Sequence, residues 1–341
     1  MQQIKKPYLL FLGDVESEVF AKTAFGLRDW SRDECVGQWS LPECTVDVGL
    51  PRLSPTEAAA QGAQSLVIAI ASIGGKIPDK WIPTLIDALE AGLDLVNGMH
   101  VRLCNIPEIA AAASKLRRTL HDVRHADQAF PIATGKKRSG RRVLTVGTDC
   151  SLGKKYSALA ITRELERRGE CADFRATGQT GIMIAGQGVA IDAVVADFIA
   201  GAAETLSPDN HPEHWDVIEG QGSLFHPAYA GVTLGLLHGS QPDALILCHD
   251  PTRRSINGFP DYPMPTLSNA IDHFLRAAKL TNPTAEFVGV CLNTSALDDA
   301  ERREVMRAAA DETGLPCCDP MKEGVASIVD RLMAVAKVIA D

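Results

Sequence analysis

The run Gly147-Thr148-Asp149-Cys150-Ser151-Leu152-Gly153-Lys154-Lys155 constrains this chain more than any other segment. It follows an apolar strand, Val143 to Val146, and opens an amphipathic helix, Tyr156 to Arg168, that stops at Gly169. A strand, a glycine-bounded turn and a helix in that order bring backbone N–H groups and a helix N-terminus to one point. An anion is held there, and a lysine adds a full charge. One position departs from the rule for nucleotide hydrolases, which place Ser or Thr after the lysine as a Mg²⁺ ligand. Here that position is Lys155. The loop is therefore expected to hold the phosphates of a cofactor that is bound and not hydrolysed, with a second ammonium in place of the metal's charge.

The rest of the chain alternates strand and helix signals. Strands are expected at Tyr8–Leu12, Ser65–Ala71 and Leu93–Val96, with helices at Trp81–Ala91 and Pro107–Leu116. The charged segment His121 to Arg142, with Pro131, Gly135 and Gly140, reads as a linker. Beyond it, strands are expected at 143–147, 171–175, 215–219, 243–248 and 286–291. Helices are expected at 154–168, 189–203, 266–279, 298–313 and 324–339, and Ser255 to Pro265 reads as a loop, a candidate lid. Such alternation implies parallel sheets covered on both faces. The expected fold class is α/β: an N-terminal Rossmann-like parallel-sheet domain, linker included, over 1–138, then a P-loop NTPase-like α/β domain over 139–341.

The spelling Gly-Thr-Asp-x-x-x-Gly-Lys resembles the phosphate loop of dethiobiotin synthetase and its P-loop relatives. Those relatives carry a later strand ending in an acidic-Gly pair, matched here by Trp215-Asp216-Val217-Ile218-Glu219-Gly220-Gln221-Gly222-Ser223. Arg175-Ala176-Thr177-Gly178-Gln179-Thr180-Gly181 and His238-Gly239-Ser240-Gln241-Pro242-Asp243 narrow the match. Together they resemble a two-domain family, long described as of unknown function, whose members include D-glutamate N-acetyltransferases. The resemblance spans nearly the whole chain. It implies acetyl-CoA as donor, with no metal required, and an acidic amino acid, D-glutamate, as acceptor. An ATP/Mg-dependent ligase or kinase, with the metal held by Thr148, Asp149 or Glu219, stays open as an alternative. So does a nucleotide- or CoA-binding protein without turnover.

Composition narrows the partners. The net charge is −9, so an anionic ligand needs a local positive site, and nucleic acid is not expected as a partner. No stretch is long enough to span a membrane. Nine scattered cysteines without a Cys-x-x-Cys point to a reducing cytoplasm. A homo-oligomer is expected for an enzyme of this type.

In open α/β sheets, ligands bind beyond the carboxyl ends of the strands. Those ends supply the candidate site. The phosphate loop, Gly147 to Lys155, and Asn293 are the candidate cofactor contacts. Glu219 is the first candidate for the group that takes a proton from the amine, with Asp250, His249 and His226 as rivals. Arg175, Arg253 and Arg254 are candidate clamps for substrate carboxylates. Thr177, Gln179, Gln221 and Ser223 are candidate substrate contacts, Ser223 as an oxyanion donor, and His100 joins them from the first domain. His211 and His214 have metal-like spacing but read as a surface loop. Gly74-Gly75-Lys76 is a weak glycine-loop signal.

Overall fold

The computed structural model describes residues 3–70, 75–126 and 128–340. Ala71 and Gly74, named above in a strand and a glycine loop, lie outside them. The chain divides into two compact units, Met1–Gln128 with Gly178–Ala193, and Ala129–Thr177 with Val194–Asp341. The five- and six-stranded sheets are parallel and belong to the α/β class, as the alternation predicts.

In the first unit, β1 (Tyr8–Phe11), β2 (Cys35–Trp39), β3 (Ser65–Ile68), β4 (Asp94–Asn97) and β5 (Leu120–Asp122) form a sheet in the order β2-β1-β3-β4-β5. Every pairing is parallel. The sequence Tyr-Leu-Leu-Phe of β1 is buried throughout, which a strand covered on both faces requires. Helices α1 (Lys22–Trp30), α2 (Pro55–Ala60), α3 (Ile82–Glu90) and α4 (Pro107–Leu116) cover the sheet. Helix α2 starts where Ser54 and Glu57 close a capping box and Pro55 presets the first turn.

The second unit holds β6 (Arg141–Gly147), α5 (Lys154–Arg167), β7 (Ala172–Arg175), α7 (Ile199–Leu206), β8 (Trp215–Ile218), α8 (Ala230–Ser240) and β9 (Ala244–His249). It continues with β10 (Ser255–Ile256), β11 (Phe259–Pro263), α9 (Leu267–Ala278), β12 (Glu286–Leu292), α10 (Asp299–Thr313), β13 (Cys317–Cys318) and α11 (Ala326–Ala340). The six-stranded sheet runs β13-β12-β9-β6-β8-β7. Its pairings are parallel, and β6 sits between β8 and β9. Val143, Ile161, Leu165, Val217, Ile246, Val288, Ile328 and Leu332 meet in its core. All nine cysteines are free thiols.

Several expectations are corrected. Ser255 to Pro265 is no plain loop, because β10 and β11 pair as an antiparallel hairpin. The helix expected at 189–203 is two short 3-10 turns followed by α7, since Val195 at φ −58° and ψ 137° leaves the helical region between them. Residues expected in the linker form β5 and the start of β6. Finally, α6 (Gln179–Ala185) packs with the first unit. The Tyr8 hydroxyl donates to the Met183 carbonyl at 3.0 Å, and Lys6 Nζ donates to that of Ile184 at 2.8 Å. Ile182, Met183 and Ile184 are buried there.

Candidate functional site

The carboxyl ends of β6, β8 and β9 are neighbours, so the loops that follow them converge. After β6 the phosphate loop turns through Ser151 at φ 53° and Gly153 at φ 106°, left-handed conformations that suit a nest of N–H groups. Gly153 is the residue before α5, and a side chain there would strain the backbone. Lys154 is buried, and its Nζ donates to the Asp149 carbonyl at 2.8 Å, so the ammonium lies across the loop. Burial lowers its pKa, against the charges of Asp149 and Glu219 that raise it. Lys155 follows the same pattern: burial lowers its pKa and the Glu219 carboxylate opposes the shift. Its Nζ sits 4.4 Å from the centre of the Tyr156 ring.

The loop is braced from β9 and from the hairpin. Asp149 is fully buried. Its Oδ1 accepts from the Cys150 N–H at 2.6 Å, and its Oδ2 accepts from Arg253 Nη1 and the Asn257 N–H, each at 2.9 Å. Arg253 also donates to the carbonyls of Cys150 at 2.7 Å and Ser151 at 2.9 Å. One guanidinium thus holds three consecutive loop residues. Thr148 Oγ1 and His249 Nδ1 are 2.9 Å apart, tying the loop to the end of β9. Burial holds the His249 imidazole below its ordinary range and lifts the Cys150 thiol above its own. Asp250 accepts from the Thr252 N–H at 3.0 Å and its hydroxyl at 2.6 Å, so it shapes the turn into Arg253. Asn293, beyond β12, donates its N–H to the His249 carbonyl at 2.8 Å.

Glu219 follows β8 and is buried. Its Oε2 accepts from the Thr177 N–H at 3.0 Å, and the Thr177 hydroxyl donates to the Glu219 carbonyl at 2.7 Å. Gln221 Nε2 donates to that hydroxyl at 3.1 Å. Gly220 approaches β6 so closely that a Cβ there would lie 1.7 Å from the Thr145 carbonyl oxygen. Leu152, in the loop itself, packs into the core beneath it. Ser223 is fully buried, and its Oγ accepts from the Phe225 N–H at 3.2 Å within its own turn. His226 is buried, stacked on Tyr229 with ring centres 4.4 Å apart and edge-on to Phe259 at 5.1 Å. Its Nδ1 accepts from the Ala228 N–H at 3.1 Å, which places the ring proton of the neutral form on Nε2. One ligand-type atom each from Asp149, Cys150 and His226 lies within 4.8 Å of the others. The phosphate loop and His226 therefore share one locus, although both Asp149 oxygens are already engaged.

The three arginines separate. Arg175 donates to Asp216 at 2.8 Å and pairs with Asp173 at 2.9 Å, with His214 Nε2 3.4 Å from both carboxylates. Arg253 braces the loop. Arg254 is exposed and lines an open cavity of about 340 Å³ along the hairpin with Asn257 and Phe259. In the first unit, His100 and Gln179 line one cavity of about 310 Å³, together with Thr23, Ile68, Met183 and Arg124. Arg124 has no sequence signal beyond lying in a charged segment, and neither do Tyr229 and Phe259, which wall His226.

The residues matched by known families cover both units. A domain of unknown function described as the DUF1611 Rossmann-like N-terminal domain matches residues 34–126, and the DUF1611 P-loop domain matches residues 131–329. The chain belongs to the DUF1611 family. A solved structure of a DUF1611 family protein from Anabaena variabilis is 34% identical, with a TM-score of 0.83 over 97% of this chain and 100% of that one. Two curated relatives carry an activity in their name. A D-glutamate N-acetyltransferase of Tritonibacter scottomollicae is 51% identical over 97% of this chain and 100% of its own length. Another, from a Pseudoalteromonas species, is 48% identical over 97% of this chain and 99% of its own. They support an N-acetyltransferase role. Among the described residues, no helix is long and apolar enough to cross a membrane.

Proposed function

We propose that this chain moves an acetyl group from acetyl-CoA to the amine of D-glutamate. The observation that carries the reading is the phosphate loop, with Ser151 and Gly153 in left-handed conformations, Lys154 lying across it and Lys155 in the metal-ligand position. Two relatives of about half identity with that activity in their names support it. The loop fits a diphosphate: it has nest conformations, a helix N-terminus and a buried lysine already lying across it. Residues 147–155 would hold the CoA phosphates. Acetyl-CoA brings an activated thioester carbonyl, and an ammonium acceptor must lose a proton before its nitrogen attacks.

Of the four candidate proton acceptors, His249 suits the task best. Its lowered pKa keeps the ring neutral near pH 7. With Thr148 Oγ1 accepting from Nδ1–H, Nε2 is left to take the amine proton. Glu219 holds the Thr177 N–H and offsets the lysine charges, so it positions the loop. His226 bears its proton on Nε2 and suits a donor to the developing oxyanion. The deciding experiment follows thiol release from acetyl-CoA with D-glutamate, L-glutamate and D-glutamine in EDTA. Turnover with D-glutamate in EDTA is expected. Product formation only with ATP and Mg²⁺ would replace this reading with a ligase or kinase.

A further inference from the structure

The cavity of the first unit sits where a ligand is expected in a sheet of this order. From β1 the chain passes to β2 on one side and to β3 on the other, and the crevice at such a switch point, beyond the carboxyl ends, is a binding position. The cavity is lined by Ile68 at the end of β3, by Gly98 just past β4, and by Thr23 near the start of the helix that follows β1. Its volume of about 310 Å³ lies at the lower end for small-molecule sites, the size of an amino acid and not of a dinucleotide.

Its wall is chemically uneven. Ile68 and Met183 make an apolar floor. Arg124, Gln179, Thr23 and His100 bring hydrogen-bonding groups. Arg124 is half-buried and has no ion pair or hydrogen bond among the described residues. That contrasts with Arg175 and Arg253, which are spent on carboxylates of the chain itself. In a chain of net charge −9, an uncommitted guanidinium on a cavity wall is a local reversal of sign. The planar fork matches a carboxylate with two parallel hydrogen bonds. The apolar floor suits a short methylene chain and does nothing for a fully hydrated ion such as phosphate.

We infer that this cavity binds a small aliphatic carboxylate, of glutarate or glutamate size, through Arg124, with Gln179 and Thr23 as its polar neighbours. The site is separate in its residues from the phosphate loop and stands whether or not the acetyl-transfer reading holds. Its ligand is either the acceptor of the reaction or an independent carboxylate, and kinetics separate the two.

The test is calorimetric titration of the full chain with glutarate and with D-glutamate, with inorganic phosphate as control. Both carboxylates are expected to bind, and any phosphate taken up by the loop of residues 147–155 is expected to be insensitive to the loss of Arg124. Arg124→Leu is expected to weaken carboxylate affinity by about tenfold or more, and Arg124→Lys by less. Acetyl-CoA affinity is expected to stay unchanged in each, which also reports that the variants are folded. Gln179→Leu, from another element, is expected to weaken the same carboxylates. No binding of either carboxylate to the wild type would overturn the inference, as would unchanged affinity in both Arg124→Leu and Gln179→Leu. If the KM for D-glutamate rises with the loss of affinity, the carboxylate is the acceptor's. If it does not, the cavity serves a separate ligand. Carboxylate binding without any acetylation would sink the acetyl-transfer reading alone.

Discussion

Lys154 and His249 carry different burdens, and each has its own test. Lys154 is a buried ammonium lying across its own loop, so removing it takes away charge without emptying the core. Lys154→Ala should weaken acetyl-CoA binding by roughly 1.5–3 kcal/mol, the scale of a lost hydrogen bond to a charged group. Isothermal titration measures it, and an unchanged affinity would move the phosphate site elsewhere. His249 must be neutral to accept a proton. Its pKa is lowered from 6.5, chiefly by burial. The acid limb of kcat/KM should therefore fall below the ordinary histidine range, with activity lost as pH drops through the depressed value. His249→Gln should lower the rate about 10²–10⁴-fold and abolish that limb. A limb at or above 6.5, or one that survives the substitution, would assign the proton to another group.

At the level of strands and loops, the site depends on contacts between elements far apart in sequence. Arg253 reaches from the turn after β9 to three residues of the phosphate loop. Arg253→Ala should raise the KM for acetyl-CoA more than that for the amine acceptor. Equal effects on both would argue against its role as a loop brace. Gly220 lets β8 lie against β6. Gly220→Ala places a methyl 1.7 Å from a backbone oxygen, about half the normal contact distance, and should cost about 3 kcal/mol of stability by urea denaturation. These contacts mark the limit of what the sequence shows. The phosphate loop was legible because strand, glycine, lysine and helix are contiguous, and of the strand-end residues His249 and Asp250 lie where the loop is braced while Arg175 and Gln179 do not. The partners were not. A guanidinium at position 253 has the same spelling whether it meets a substrate or Asp149. The basic residues 136–142 read as a linker, yet Arg142 is buried and donates to the Ser139 and Pro208 carbonyls at 3.0 and 2.8 Å. The hairpin β10–β11 was hidden by its prolines, which suit a short edge pair as well as a loop.

On the scale of the whole chain, the first unit is discontinuous. Its last part, Gly178–Ala193, lies in the middle of the sequence of the second. Helix α6 buries Ile182, Met183 and Ile184 and accepts from Tyr8, Lys6 and Ser31. A fragment ending at Gln128 leaves those donors, and the apolar surface that α6 covers, to water. It should show no cooperative thermal transition by circular dichroism, and joining residues 178–193 to it through a flexible linker should restore one. A cooperative melt of the short fragment would show that α6 is dispensable. The same discontinuity sets a timetable during synthesis. A ribosome adding about 5–20 residues per second must make roughly 57 residues beyond Gln128 before α6 is complete. For those few seconds the emerged N-terminal sheet is one helix short, while β6 and the phosphate loop are already being delivered. The nascent chain therefore has to keep two incomplete cores apart, and that interval is where a chaperone would find its substrate.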